Sequence, residues 1–352
     1  MSIPVTILGA TGLVGQVFCE RLAAHPLFRI ESLVAGPESA GLAYGDAVRW
    51  RRPGEVPASL ASMPLASPPG QLETPVAFSS LSPAAAALLE APYADAGAWV
   101  FTNAAVHRMD PDVPLVIPEL NGDHLHRTLD QNRSGAIVAN PNCTTVGLAL
   151  ALAALRSEFG IQGARVVSLQ ALSGAGLQDG ELMKLPDGLA PDIPGEADKL
   201  ARELPKILGR WDANGPLEPA SLTVQATCVR VPVPHGHTLS VDVTLDHPAA
   251  EADLRRAWSS FTGLPGAAEL PSAPHPLIHV EAGMNGPRPG VHRDRGDGLA
   301  ISVGGLKPLD ASGRRWTFIT LSHNLVRGAA GGAILTAEDA HRRGLLGHTA
   351  TR

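Results

Sequence analysis

The sequence predicts an α/β chain of two domains, one on a parallel sheet and one richer in antiparallel strands. Three observations carry that prediction. A short apolar run, Val5-Thr6-Ile7-Leu8, leads straight into Gly9-Ala10-Thr11-Gly12-Leu13-Val14-Gly15 and then into a helical stretch that stops at His25-Pro26. Short apolar runs alternate with helical stretches up to about residue 150, the pattern of parallel strands joined by crossover helices. Farther on, Leu239, Val241, Val243 and Leu245 alternate with Ser240, Asp242 and Thr244, as in an antiparallel strand covered on one face.

The strand, glycine turn and helix at the start form the first unit of a Rossmann dinucleotide-binding domain. The glycines let the backbone approach a pyrophosphate, which rests on the helix N-terminus. The spacing is G-x-x-G-x-x-G rather than G-x-G-x-x-G, so the turn alone is moderately specific. Phe28–Ala35 is the second strand, and its end is where such folds read the adenosine ribose. Residues 51–76, rich in Pro and Ser, are expected to be surface loops. Val76–Phe78 and Trp99–Phe101 are short strands with a helix over Ala84–Glu90 between them. Arg108 follows in a polar loop at a strand's carboxyl end, where open α/β sheets bind ligands.

Next comes Ala136-Ile137-Val138, a buried strand, then Asn140-Pro141-Asn142-Cys143-Thr144-Thr145 and a long apolar helix beginning near Val146. Pro141 disfavours a helical Asn140, and Thr144 or Thr145 can cap the helix. Cys143 thus stands at a strand-to-helix turn, where the helix dipole is expected to lower the thiol pKa. Beyond it, Val166–Leu172 is a strand leading into Ser173-Gly174. Glu196–Leu204 is a helix with Leu200 and Leu204 on its buried stripe, and Glu196 and Lys199 share a neighbouring face. Leu299–Val303 and Trp316–Leu321 are further strands. The closing stretch Gly328–Arg343 is a helix that returns to the first domain. The expected domains are 1–143 with 325–352, and 144–324.

Composition narrows the function. The chain has 352 residues, a net charge of -6 and 44% hydrophobic residues. That balance gives no support for nucleic-acid or anionic-membrane binding. Three cysteines, Cys19, Cys143 and Cys228, form no disulfide framework and no Cys-x-x-Cys pair, so a reducing, cytoplasmic setting is expected. The opening run Ile3–Leu8 is too short for a signal core, and no apolar run approaches the length of a membrane span. His235-Gly236-His237 could be half of a metal site, with Cys228 as the only nearby third ligand; no metal is expected.

Taken together, Gly9–Gly15, Asn140–Thr145, Gln170–Gly176 and Arg230-Val231-Pro232-Val233-Pro234-His235-Gly236-His237 occur in the order found in aspartate-β-semialdehyde dehydrogenases. The chain resembles the archaeal and fungal branch from about residue 5 to 340. Tyr44–Trp50, His107-Arg108-Met109-Asp110 and Val326–Gly331 add to the likeness. The resemblance implies a catalytic and dimerisation role for the second domain, and assembly into a homodimer or homotetramer. The implied reaction is NADPH-dependent reductive dephosphorylation of L-aspartyl-4-phosphate to the 4-semialdehyde, a step toward lysine, threonine and methionine. Cys143 would be the nucleophile that forms a thioester, His237 its acid/base partner and Gln170 an orienting residue. Arg230 would clamp the α-carboxylate, Glu196 the amino group, and Arg108, Asn142 and Lys199 the phosphate. Gly9, Thr11, Gly12, Leu13, Val14, Ser39, Ser173, Gly174 and Asn324 would meet the cofactor. A malonyl-CoA reductase on the same scaffold and a cofactor-binding paralogue without turnover are the alternatives.

One stretch departs from the branch. Where it often reads Ala-Ser-Glu-Arg-Ser-Ala-Gly-Lys, this chain has Ala35-Gly36-Pro37-Glu38-Ser39-Ala40-Gly41-Leu42. A carboxylate repels a ribose 2′-phosphate but accepts hydrogen bonds from a free ribose hydroxyl. Discrimination for NADP over NAD is therefore expected to be weakened, with NAD usable.

Overall fold

The structure is a computed structural model and describes residues 2–68, 74–176, 188–211, 215–283 and 286–346. Six strands form the first sheet: β1 (Ile3–Leu8), β2 (Phe28–Val34), β3 (Leu65–Ala66), β4 (Val76–Ser79), β5 (Trp99–Thr102) and β6 (Ala136–Ala139). They lie in the order β3-β2-β1-β4-β5-β6 with all pairs parallel. Every residue of β4, β5 and β6 is buried, because helices cover both faces of a parallel sheet. Chain order reverses at β1, so the turn from β1 into helix α1 (Leu13–Leu22) opens on the switch point where such sheets bind ligands. Below it, Phe78 packs against Phe18, Phe28 and Phe101 with ring centroids 5.1, 5.6 and 5.8 Å away.

Two expectations for this domain need correction. The stretch taken as loops contains β3 and a one-turn helix at Ala58–Ala61. A two-residue edge strand is too short to show alternation. Helix α2 spans Pro83–Asp95 rather than stopping at Glu90. Pro92 removes only its own backbone donor, and Tyr93 and Ala94 beyond it are buried in the core.

The second sheet contains β7 (Ile161–Gln170), β10 (Thr223–Arg230), β11 (His237–Leu245), β12 (Ile278–Val280), β13 (Ile301–Pro308) and β14 (Arg315–Ser322). Between β7 and β10, β8 (Arg210–Trp211) and β9 (Leu217–Glu218) form a separate ribbon. The sheet order is β10-β7-β11-β14-β13-β12; β11 runs antiparallel to both of its neighbours, while β10 is parallel to β7. Leu239, Val241, Val243 and Leu245 are buried, as their alternation implies. Helices α3 (Cys143–Phe159), α4 (Glu196–Ile207) and α5 (Glu251–Ser260) contribute to the same core. Trp258 of α5 donates to the carbonyl of Ala151 on α3 at 2.9 Å and meets Phe318 edge-on.

Helix α6 (Gly331–Arg342) packs into the first domain: Ala333, Ile334, Leu335, Ala337 and Ala340 join the core of Val5, Ile7, Val17 and Phe18. A π-type turn, Val326–Ala330, precedes it, with Ala329 at φ -147°, ψ -106°. Arg327 in that turn makes a buried two-pronged pair with Glu119, at 2.8 and 2.7 Å. Among the described residues no helix is long and apolar enough to cross a membrane.

Candidate active site

The nucleophile's position follows from one short turn. β6 ends at Ala139, and Asn140 is tied to the Asn103 side chain at 3.0 Å. Asn142 is extended (φ -56°, ψ 141°) and its side-chain oxygen accepts the Thr144 N–H at 2.9 Å. Asn142, not Thr144 or Thr145, is therefore the cap; the helix starts earlier than its apolar run suggests, and both threonines are buried in its first turn. Cys143 is the first helical residue. Gly328 presses on it so closely that a β-carbon there would lie 2.7 Å from the Cys143 β-carbon.

The second sheet supplies the opposing wall along a single edge. Gln170 ends β7 beside Arg230, which ends the parallel β10, and His237 begins β11 next to Ser322 at the end of β14. His237 Nε2 lies 3.1 Å from Cys143 Sγ. Its Nδ1 accepts the Ala171 N–H at 3.0 Å, which puts the neutral ring's proton on Nε2, facing the sulfur. Arg230 donates to the Ala171 carbonyl at 2.8 Å. Gly174 leaves the space between them open: a β-carbon there would sit 2.8 Å from Arg230 Nη1 and 3.0 Å from the His237 ring.

Electrostatics reverse the sequence expectation for the thiol. Burial, and next the Glu196 carboxylate, push Cys143 up to about 11, against the pull of Arg108 and Arg230. Burial and the Arg230 charge bring His237 down to about 3. Loss of solvent outweighs the helix dipole, so the unliganded pair is neutral thiol and neutral imidazole at physiological pH.

Asn142 is also the node of a polar network. Its Nδ2 donates to Glu196 at 3.0 Å, and Glu196 is also reached by Gln170 at 3.2 Å and Lys199 at 2.6 Å. Burial raises the Glu196 pKa, but these donors, Lys199 first, bring it below the ordinary carboxylate range. On the other side, the Asn142 N–H donates to Glu203 at 2.7 Å, and Glu203 holds Arg108 Nη1 at 3.0 Å. Glu203 and Lys206 were missed by the sequence reading. The available signal was spacing: Glu196, Lys199, Glu203 and Lys206 recur on the same side of α4 as Leu200, Leu204 and Ile207.

Of the residues read from sequence, the structure joins Cys143, His237, Gln170, Arg230, Asn142, Glu196, Lys199 and Arg108 through this chain of contacts. Asn324 joins from beyond β14, donating to Ser173 at 2.9 Å and accepting the Gly236 N–H at 2.9 Å. His235 does not converge with His237 on a common ligand; it stacks on His323, with centroids 5.7 Å apart. Among the described residues no group of three or more His, Cys, Asp or Glu could hold a metal ion.

Comparison with known proteins decides the family. Residues 4–128 match the semialdehyde dehydrogenase NAD binding domain, and residues 152–327 match the semialdehyde dehydrogenase dimerisation domain. The chain belongs to the semialdehyde dehydrogenase family. It is 39% identical to aspartate-semialdehyde dehydrogenase of Archaeoglobus fulgidus over 345 residues, covering 96% of this chain and 98% of that one. It is 35% identical to malonyl CoA reductase (NADP) of Metallosphaera sedula, covering 96% of both. The crystal structure of aspartate semialdehyde dehydrogenase with NADP from Candida albicans superposes with a TM-score of 0.87 at 34% identity, over 98% of this chain and all of that one.

The residues present fit the dinucleotide this family's first domain is named for. Gly9 holds φ +81° at the end of β1, and its N–H and that of Ala10 bond the Val34 carbonyl at 2.9 Å each, drawing the turn to the end of β2. Gly12 caps α1 with no side-chain oxygen, leaving the first N–H groups of the helix, at Leu13 and Val14, for an anion. Thr11 is fixed through its carbonyl by Gln16 at 2.9 Å. Ser39 closes the short turn Pro37–Ser39 after β2, and the Glu38 carboxylate folds back so far that a β-carbon at Gly36 would collide with it.

Proposed function

We propose that this chain is an aspartate-semialdehyde dehydrogenase, reducing L-aspartyl-4-phosphate to L-aspartate 4-semialdehyde with release of phosphate. The observation that carries the reading is Cys143 Sγ, 3.1 Å from His237 Nε2 and within the electrostatic reach of both Arg108 and Arg230. Cys143 attacks the acyl carbon and phosphate leaves, so the acyl group is held as a thioester. Because the resting thiol is neutral, its proton departs with the phosphate. NADP, when bound as NADPH, supplies the hydride that reduces the thioester. His237 presents its Nε2–H to the sulfur and then to the oxyanion of the thiohemiacetal. Collapse of that species releases the aldehyde and a thiolate, which takes up a proton from solvent to restore the neutral resting thiol.

Substrate recognition divides between two charges. Arg230 takes the α-carboxylate through its planar fork, and Glu196, kept ionised by its donors, takes the amino group. Gln170 orients Glu196 beside the thiol, while Arg108, Asn142 and Lys199 hold the phosphate. Arg108 Nε is buried without a partner among the described residues, which supports an anion there. Gly9, Thr11, Gly12, Leu13 and Val14 hold the pyrophosphate, Ser39 the ribose side, and Ser173, Gly174 and Asn324 the nicotinamide side. The functional domains are 1–143 with 325–352, and 144–324. The chain works in the cytoplasm as a homodimer or homotetramer; the dimerisation-domain match supports assembly of copies.

The Metallosphaera sedula relative makes malonyl-CoA reduction the second reading. Oxidation of aspartate semialdehyde and of malonate semialdehyde, each with phosphate or coenzyme A as acceptor, separates the two. Turnover with aspartate semialdehyde and phosphate supports the proposal. Turnover with coenzyme A alone overturns it, and absence of any turnover or trapped Cys143 thioester assigns a non-catalytic paralogue.

A further inference from the structure

We propose that Glu203 and Lys206 are positioning residues, which lock Arg108 at its head and at its backbone and so set the phosphate pocket against the Cys143 turn. The inference rests on the reading that Arg108 holds phosphate. Glu203 and Lys206 are 2% and 5% exposed, on the apolar stripe of α4 where an unbonded charge would be costly. Both are fully engaged. The two Glu203 oxygens are divided between Arg108 Nη1 at 3.0 Å and the Asn142 N–H at 2.7 Å. Lys206 Nζ gives its three donors to the carbonyls of Arg108, Asp110 and Val113, each at 2.8 Å.

Arg108 is thereby fixed from two sides, and its Nη2 is tied to the Asn103 carbonyl at 2.8 Å. Its Nε–H is buried and unpaired among the described residues, a donor free to serve an anionic oxygen. Because one carboxylate spans Arg108 and Asn142, the pocket and the nucleophile's turn keep a fixed spacing. Asp110, Asp112, Glu203 and His124 face the Lys206 ammonium. Burial brings that ammonium down to about 8, with the carboxylates pulling the other way. The charge that holds the Arg108 loop is therefore lost as pH rises through about 8, while inorganic phosphate remains a dianion.

The test is steady-state kinetics of phosphate-dependent semialdehyde oxidation, with KM for phosphate, semialdehyde and NADP measured from pH 7 to 9.5. Glu203→Gln is expected to raise KM for phosphate roughly tenfold, the scale of one lost charge-assisted bond, with the other two KM values unchanged. Wild type is expected to show KM for phosphate rising above pH 8. Lys206→Met should start high and lose that rise, and Lys206→Arg should keep a low value across the range. A uniform fall in kcat with all KM values unchanged, or a lower Tm alone, would mean that the residues are only structural and would overturn the proposal. If Lys206→Met does not fold, Glu203→Gln and the wild-type profile decide. Arg108→Ala separates the two levels: an unchanged KM for phosphate there refutes the role of Arg108 itself. A raised value with Glu203→Gln unaffected refutes only the positioning.

Discussion

Cys143 Sγ and His237 Nε2 stand 3.1 Å apart, and the Ala171 N–H on the far side of the ring fixes which of them donates. The imidazole donates to the sulfur, and it can become imidazolium only by giving up that backbone bond. This differs from a resting thiolate–imidazolium pair and has a measurable signature.

Alkylation of Cys143 by iodoacetamide, located by mass spectrometry, should be slow at pH 7 and rise toward pH 11, following the raised thiol. Glu196 is the largest charge holding the thiol up, after burial itself. Glu196→Gln should therefore move the profile to lower pH. Fast, pH-independent labelling between pH 6 and 8 would mean that the thiolate is already formed.

Cys143→Ala should lose turnover but still bind NADP, because the Gly9–Val14 turn follows β1, three strands along the sheet from the β6 end that carries Cys143. Cys143→Ser should be nearly as poor, since an alkoxide is far harder to form than a thiolate. Phosphate-dependent oxidation at the wild-type rate by either variant contradicts the thioester route.

Arg230→Lys keeps the charge and loses the fork. Losing part of a charge-assisted contact costs about 1.5–3 kcal/mol, which is at least about tenfold in kcat/KM for semialdehyde. Unchanged kinetics would make Arg230 a strand-end residue that only bonds the Ala171 carbonyl.

Gly328→Ala should cripple turnover although its side chain is a single methyl. That methyl would fall 2.7 Å from the Cys143 β-carbon, and the buried Arg327–Glu119 pair prevents the turn from backing away. Glu119→Ala should lower Tm, since leaving Arg327 buried and unpaired costs about 3–5 kcal/mol. Wild-type activity in Gly328→Ala would show that the turn yields.

Cofactor choice tests Glu38. Its carboxylate folds over Gly36 at the end of β2 and has no hydrogen bond or ion pair among the described residues. Such a carboxylate favours a free ribose hydroxyl over a phosphate. Efficiencies with NADP and NAD should differ by less than about a hundredfold, roughly 2.7 kcal/mol, and Glu38→Arg should move the ratio toward NADP. A larger native preference for NADP would show that Glu38 faces away from the ribose.

The sequence by itself determined the two-domain α/β architecture, the glycine turn at Gly9–Gly15, Cys143 at a strand-to-helix turn and the covered face of β11. These are local properties: apolar period, turn chemistry and the restriction that Pro141 places on Asn140. Motif order then brought in His237, Gln170 and Arg230, which are remote from Cys143 in the chain. What only the tertiary structure decided is how those groups act on one another. The tautomer of His237 depends on a backbone N–H from β7's end, and the raised thiol depends on burial and on a carboxylate 53 positions away at Glu196. Asn142 displaced the threonines as cap because the helix begins where the fold packs Gly328 against Cys143, not where the apolar run begins. Glu203 and Lys206 acquire their role only when the loop carrying Arg108 is folded onto them. Charge and hydrogen-bond energies depend on distance and solvent exclusion, and neither is a property of the chain in one dimension.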